Sequence, residues 1–146
     1  MNHFKVFVYR HSVFMDQGLS AIKPVLARPS PKNLFELKLV NCQTAPRIIE
    51  QLLQFMTAEK VPLRAFALVR MNLHTHGLQL VAKFLNESSF LEDLDLSWNN
   101  LIPSDFKLFL EVLSNNRTLR VLNLSCNMLV EKRDQNNKFD FDFQSA

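Results

Sequence analysis

Four stretches of the chain share one alternation of apolar and polar positions: Leu34-Phe-Glu-Leu-Lys-Leu39, Leu63-Arg-Ala-Phe-Ala-Leu68, Leu91-Glu-Asp-Leu-Asp-Leu96 and Leu119-Arg-Val-Leu-Asn-Leu124. They start 29, 28 and 28 residues apart, with apolar residues at the first, fourth and sixth places. In the last two, an Asn follows at the ninth place and a Leu at the eleventh: Asn99 and Leu101, then Asn127 and Leu129. Moving the ruler back by 30 puts Phe4, Phe7 and Tyr9 on the same columns, with Ser12 at the Asn place and Phe14 at the eleventh. Each stretch is short, as a strand is.

A second apolar pattern follows each strand. Leu19, Ile22, Val25 and Leu26 align with Ile49, Leu52, Phe55 and Met56, with Leu78, Val81, Phe84 and Leu85, and with Phe106, Phe109, Val112 and Leu113. Spacings of three, three and one put each set on one face of a helix, the face that packs against the strands. The expected unit is a strand, a turn and a helix. A unit of this kind cannot bury its apolar face alone, so neighbours must stack into one continuous core. Pro24 lies in the middle of the first helical segment, where it removes a backbone bond, so that helix is expected to kink or start late, with Pro29 and Pro31 helping to end it. The third unit has Met71 at the Asn place and Asn72 one place late, which predicts an irregular turn, a register slip or an inward-packing Met71.

These columns resemble the leucine-rich repeats of the long-repeat, ribonuclease-inhibitor-like class, over about residues 4 to 129. The resemblance implies an α/β solenoid: a short right-handed arc with parallel strands on the concave face and helices on the convex face. It gives Asn99 and Asn127 the task of satisfying backbone groups in the turn after the strand, and it makes Cys42 a familiar substitute there. The expected organisation is a solenoid over residues 1–130 (units 4–33, 34–62, 63–90, 91–118 and a partial 119–130), then a polar tail over 131–146.

On the strands, side chains between the apolar columns should face the concave side. They include Lys38, Val40, Arg64, Ala67, Val69, Glu92, Asp95, Ser97, Arg120 and Asn123, with Arg70 and Trp98 at strand exits. A basic stretch (Lys38, Arg64, Arg70) thus abuts an acidic one (Glu92, Asp93, Asp95), and the single Trp lies at the border. Trp and Arg are the residue types that most often anchor protein interfaces. The protein-binding candidates are therefore Lys38, Arg64, Arg70, Glu92, Asp95, Trp98 and Arg120; the alternative is that Trp98 caps the core and the charges are merely solvated. His74 and His76 suggest a metal pair, but no Cys or carboxylate stands at a ligand spacing, so a turn accounts for them better. Asp93 and Asp95 share a strand face like an acid pair; two carboxylates outside a closed pocket are more often surface than catalytic.

Composition narrows the classes. Of 146 residues, 47% are apolar and 21% charged, in the range of a packed domain. With only Gly18 and Gly77, no glycine-rich phosphate loop, dinucleotide fingerprint or nucleophile elbow can form. Cofactors are expected to be none. No apolar run approaches the roughly 18 residues that span a bilayer, and Arg10 and His11 interrupt the apolar opening, so the chain reads as cytoplasmic. Cys42 and Cys126, about 14 Å apart at strand spacings of roughly 4.8 Å, should both be free thiols. Residues 1–75 hold ten Lys or Arg against four Asp or Glu, and residues 76–146 hold seven against ten, a polarity that could steer a partner. Nucleic-acid binding is disfavoured because no aromatic stacking platform accompanies the basic residues.

The tail carries Phe139, Phe141 and Phe143 in alternation with Asp140 and Asp142, as a capping or docking strand would. With apolar first and last strands, the array is expected to be embedded in a hetero-complex, to be a piece of a longer array, or to be capped by this tail. The leading expectation is a non-enzymatic interaction module, a structural or adaptor subunit of an intracellular assembly; the resemblance points to cytoskeletal or ciliary settings. Alternatives are a regulator of a small GTPase and an inhibitor-like binder of an enzyme.

Overall fold

The computed structural model describes residues 5–27 and 35–128. It is an α/β fold in which five parallel strands alternate with helices: β1 (Lys5–Arg10), α1 (Asp16–Leu26), β2 (Phe35–Val40), α2 (Pro46–Ala58), β3 (Leu63–Val69), α3 (Thr75–Glu87), β4 (Asp93–Asp95), α4 (Phe106–Asn115) and β5 (Val121–Asn123). Strand order in the sheet equals chain order, and every neighbouring pair is parallel. This arrangement is compatible with a solenoid-like arc.

The register follows the apolar columns. Phe7 pairs with Leu37, Leu37 with Phe66, Phe66 with Leu94 and Leu94 with Leu122. Their side chains turn to the helix-covered face, where Leu37, Leu39, Leu68, Leu94 and Leu96 are fully buried against Leu52, Leu53, Val81 and Leu85. Of the four helical columns, the first, second and fourth are buried in α1, α2 and α3; in α4 only Phe106 and Phe109 are, and Val112 and Leu113 are half-buried.

Two expectations need correction. The helix over the first unit does not start late: α1 begins at Asp16 and runs through Pro24, which falls in its last turn, so the backbone bond it removes lies near the end of the helix. The late start belongs to α4, which follows a single 3₁₀ turn (Pro103–Asp105). That turn opens on Pro103, and the Asp105 carboxylate accepts from the Ile102 N–H at 2.9 Å. The irregularity of the third unit lies at the start of β3 rather than in the turn after it. Phe35 pairs with Leu63 but Glu36 pairs with Ala65, so Arg64 is an extra residue bulged out of the pairing. Phe4, Leu34, Leu129, Pro29, Pro31 and the Phe139, Phe141 and Phe143 tail lie outside the described residues.

Candidate functional site

Each strand leaves the sheet through a residue in the left-handed region. His11, Asn41, Arg70, Trp98 and Cys126 have φ of 47°, 49°, 54°, 61° and 57°. None is a glycine, although bulky residues rarely accept this conformation. The row is held from strand to strand: the N–H groups of His11, Asn41, Arg70 and Trp98 donate to the carbonyls of Val40, Val69, Ser97 and Ser125 at 2.8–3.1 Å. The turn projects these side chains in a line along the exits of the strands. Asn41 Nδ2 lies 2.9 Å from His11 Nδ1, and the Arg70 guanidinium sits 4.8 Å above the Trp98 ring.

A ladder of buried and half-buried side chains underlies the row. Asn99 Nδ2 donates to the carbonyls of Leu68, Leu96 and Ser97, while its Oδ1 accepts from the N–H groups of Met71 and Leu73 at 3.0 and 3.1 Å. Asn127 repeats the arrangement one strand on, donating to Leu96 and Leu124 and accepting from Asn99 and Leu101. Cys42 uses its thiol for the same column of carbonyls, Tyr9 at 3.3 Å and Val40 at 3.6 Å. Sulfur is a weak acceptor, and here a backbone bridge between Val13 and Gln43 takes over: Phe14 N–H donates to Gln43 O, and Gln43 N–H to Ser12 O. Met71 is 6% exposed, and its thioether accepts from Cys42 N–H at 3.4 Å, as an Asn oxygen would.

The open face of the sheet, opposite the helices, carries two full rows of side chains. One row is Val6, Glu36, Ala65, Asp93 and Val121; the next is Val8, Lys38, Ala67, Asp95 and Asn123. The first row, apart from Asp93, was absent from the sequence expectation, which began its count one residue too early at Glu92. At the centre of both rows stand alanines. Ala65 and Ala67 are 6% and 4% exposed because taller neighbours shade them, and they form the floor of an open hollow of about 330 Å³. Arg10 and Lys38 wall one side, Asp93 and Asp95 the other, and Val40 and Val69 close its upper end. Asp95 is held in place, accepting from Ser97 N–H at 2.9 Å and Asn123 Nδ2 at 3.1 Å. Lys38 Nζ is 3.8 Å from Glu36. Arg10 and Asp93 form no ion pair or hydrogen bond among the described residues.

The seven expected binding residues do not form one patch. Arg64, Glu92 and Arg120 lie at strand starts, with Arg64 Nε 3.4 Å from Glu92. Lys38 and Asp95 face each other across the Ala67 floor. Arg70 and Trp98 stand at the exits, about 20 Å from Arg64 along β3 at 3.3 Å per residue. Trp98 is 49% exposed, so it does not cap the core; Ser97, expected on the open face, is buried. His76 lies 4.0 Å from Glu50. No group of three or more His, Cys, Asp or Glu placed to hold a metal occurs among the described residues. Cys42 and Cys126 are both free thiols, the first buried and the second exposed. No helix among the described residues is long and apolar enough to cross a membrane. No protein-family model and no curated protein matches the chain.

Proposed function

We propose that the chain is a non-enzymatic protein-interaction module built as a leucine-rich-repeat solenoid of the ribonuclease-inhibitor-like class, with the open face of the sheet as its concave docking surface. The repeat reading is supported by the 28- to 30-residue register of the strands and by the shared carbonyl-binding task of Cys42, Asn99 and Asn127. The docking reading rests chiefly on one observation: a hollow with unlike charges on its two walls, closed at one end by Val40 and Val69, beyond which the strand exits carry a half-exposed Trp98 beneath the Arg70 guanidinium. Rigid aromatic and Arg side chains concentrate binding energy at protein interfaces, and unlike walls select the orientation of a partner. The module acts as an adaptor or structural subunit in a cytoplasmic assembly, cytoskeletal or ciliary by the resemblance.

A tagged chain should retain a stoichiometric protein partner. The double variant Arg64→Glu, Trp98→Ala, which alters both ends of the strands, should lose it while keeping its circular dichroism spectrum, since Arg and Trp anchors commonly contribute about 2 kcal/mol or more each. Retention by the folded variant would move the site to the helices or to the ends of the array. The Trp98→Ala single variant separates the two ends of the strands: loss through it alone places the contact at the exits.

A further inference from the structure

We propose that the alanine-floored hollow takes an amphipathic α-helix of a partner protein, lying across the strands, with an acidic and a basic residue seven positions apart on either side of an apolar one. The inference rests on the docking reading above and names its ligand.

The floor sets what can enter. Ala65 and Ala67 leave β3 lower than its neighbours, so an apolar side chain can descend between β2 and β4 onto methyl groups. The walls set the charges. Arg10 and Lys38 require an anion on one side, while Asp93 and Asp95 require a cation on the other. The Arg10 and Asp93 side chains are exposed and have no ion pair or hydrogen bond among the described residues, and they stand on β1 and β4, about three strand spacings or 14 Å apart, too far to neutralise each other. A partner that brings opposite charges to both walls pairs what the described residues leave unpaired.

Spacing and backbone chemistry select a helix. Lys38 and Asp95 are two strand spacings apart, about 9.6 Å. Along a helix, residues seven apart lie on one face and are separated by about 10.5 Å, with position three or four between them directed at the floor. An extended peptide covers a similar span in about three residues, but it would lay its own N–H and C=O groups over Ala65, Ala67, Val40 and Val69, which offer no hydrogen bond. A helix satisfies its backbone internally and presents only side chains.

The probes are two displayed libraries of equal length: a single-helix scaffold randomised along one face, and linear peptides. Both are selected against the folded chain. The helix library should yield binders with an acidic residue at i, an apolar one at i+3 or i+4 and a basic one at i+7, or the reverse order. Ala67→Arg, which raises a long side chain from the floor, should weaken a selected helix about tenfold or more. Asp93→Lys, at an exposed residue and so without burden on folding, should weaken it comparably, and replacing the basic residue of the helix by Glu should restore binding. Binders that come from the linear library, or lack the spacing, yet are lost on Ala67→Arg or Asp93→Lys would overturn the helix inference and leave the docking face standing. No binders, or binders indifferent to both variants, would overturn both.

Discussion

One side-chain amide, that of Asn99, serves five backbone groups in a site 1% exposed: three carbonyls and the N–H groups of Met71 and Leu73. Removing it strands buried donors and acceptors at about 1–3 kcal/mol for each group left unsatisfied, with partial relief from rearrangement. Asn99→Ala should therefore cost roughly 3–5 kcal/mol in a denaturant melt, and Cys42→Ala only about 1 kcal/mol, because a thiol donates weakly and the Val13–Gln43 bridge remains. Equal losses would mean that the ladder does not carry the turns. The two Asn positions were legible because the resemblance assigns that place to an amide, which both donates and accepts; Met71 was not, because nothing in its residue type signals that its sulfur receives the Cys42 N–H. At the helix starts, Arg47 donates two hydrogen bonds to Asp16, at 2.8 and 3.0 Å, and this holds the Asp16 carboxyl below its ordinary value of 3.8 and raises Arg47. A depressed carboxyl contributes stability above its unfolded pKa and loses it as pH falls through the folded value. Both groups are exposed, so the contribution is small and screened by salt. In a carbon-detected titration Asp16 should ionise below the other exposed carboxyls, and Arg47→Ala should return it upward; an Asp16 unchanged by that substitution would contradict the pairing.

Strand and helix are matched in size where one follows the other. A side chain added at Gly77 would begin 2.4 Å from a Leu73 methyl, and one at Gly18 would begin 2.9 Å from the Phe14 ring. The second unit has the reverse pair at the same offset, Thr44 and a buried Ile48. Gly77→Ile should thus overpack and destabilise by about 1–3 kcal/mol, and adding Leu73→Thr should recover much of that loss, a coupling that a double-mutant cycle reads directly. Additive penalties would show that the two positions do not share space. The existence, order and buried faces of the helices were legible, since spacings of three, three and one recur at α1 to α4. Boundaries were less so. Pro24 suggests a delayed α1, yet it falls in the last turn with only Val25 and Leu26 after it, so the helix ends soon beyond the lost bond, whereas Pro103 and Asp105 stabilise a separate 3₁₀ turn that delays α4. The bulge at Arg64 escaped notice because the column ruler counts residues along the chain and cannot see one left unpaired.

Across the whole molecule, the uneven charge of the sequence becomes geometry: basic side chains of β1 and β2 and acidic ones of β4 stand on opposite sides of β3. That polarity could be read from the chain, and so could the border near Trp98. The hollow could not, because an alanine in a strand looks like a weak apolar position until its neighbours are seen to rise above it. Nor could the division of the expected patch into the two ends of the strands, which follows from where each residue falls along them. The open face of the sheet is the surface proposed to meet a partner. Hydroxyl-radical footprinting of the chain, free and in complex with the partner it retains, tests this directly through side chains that are all exposed when free: Trp98 at 49%, Leu108 at 46% and Phe90 at 37%. Complex formation should protect Trp98 and leave Leu108 on α4 and Phe90 after α3 as reactive as before. Protection of Leu108 and Phe90 with Trp98 unchanged would contradict it.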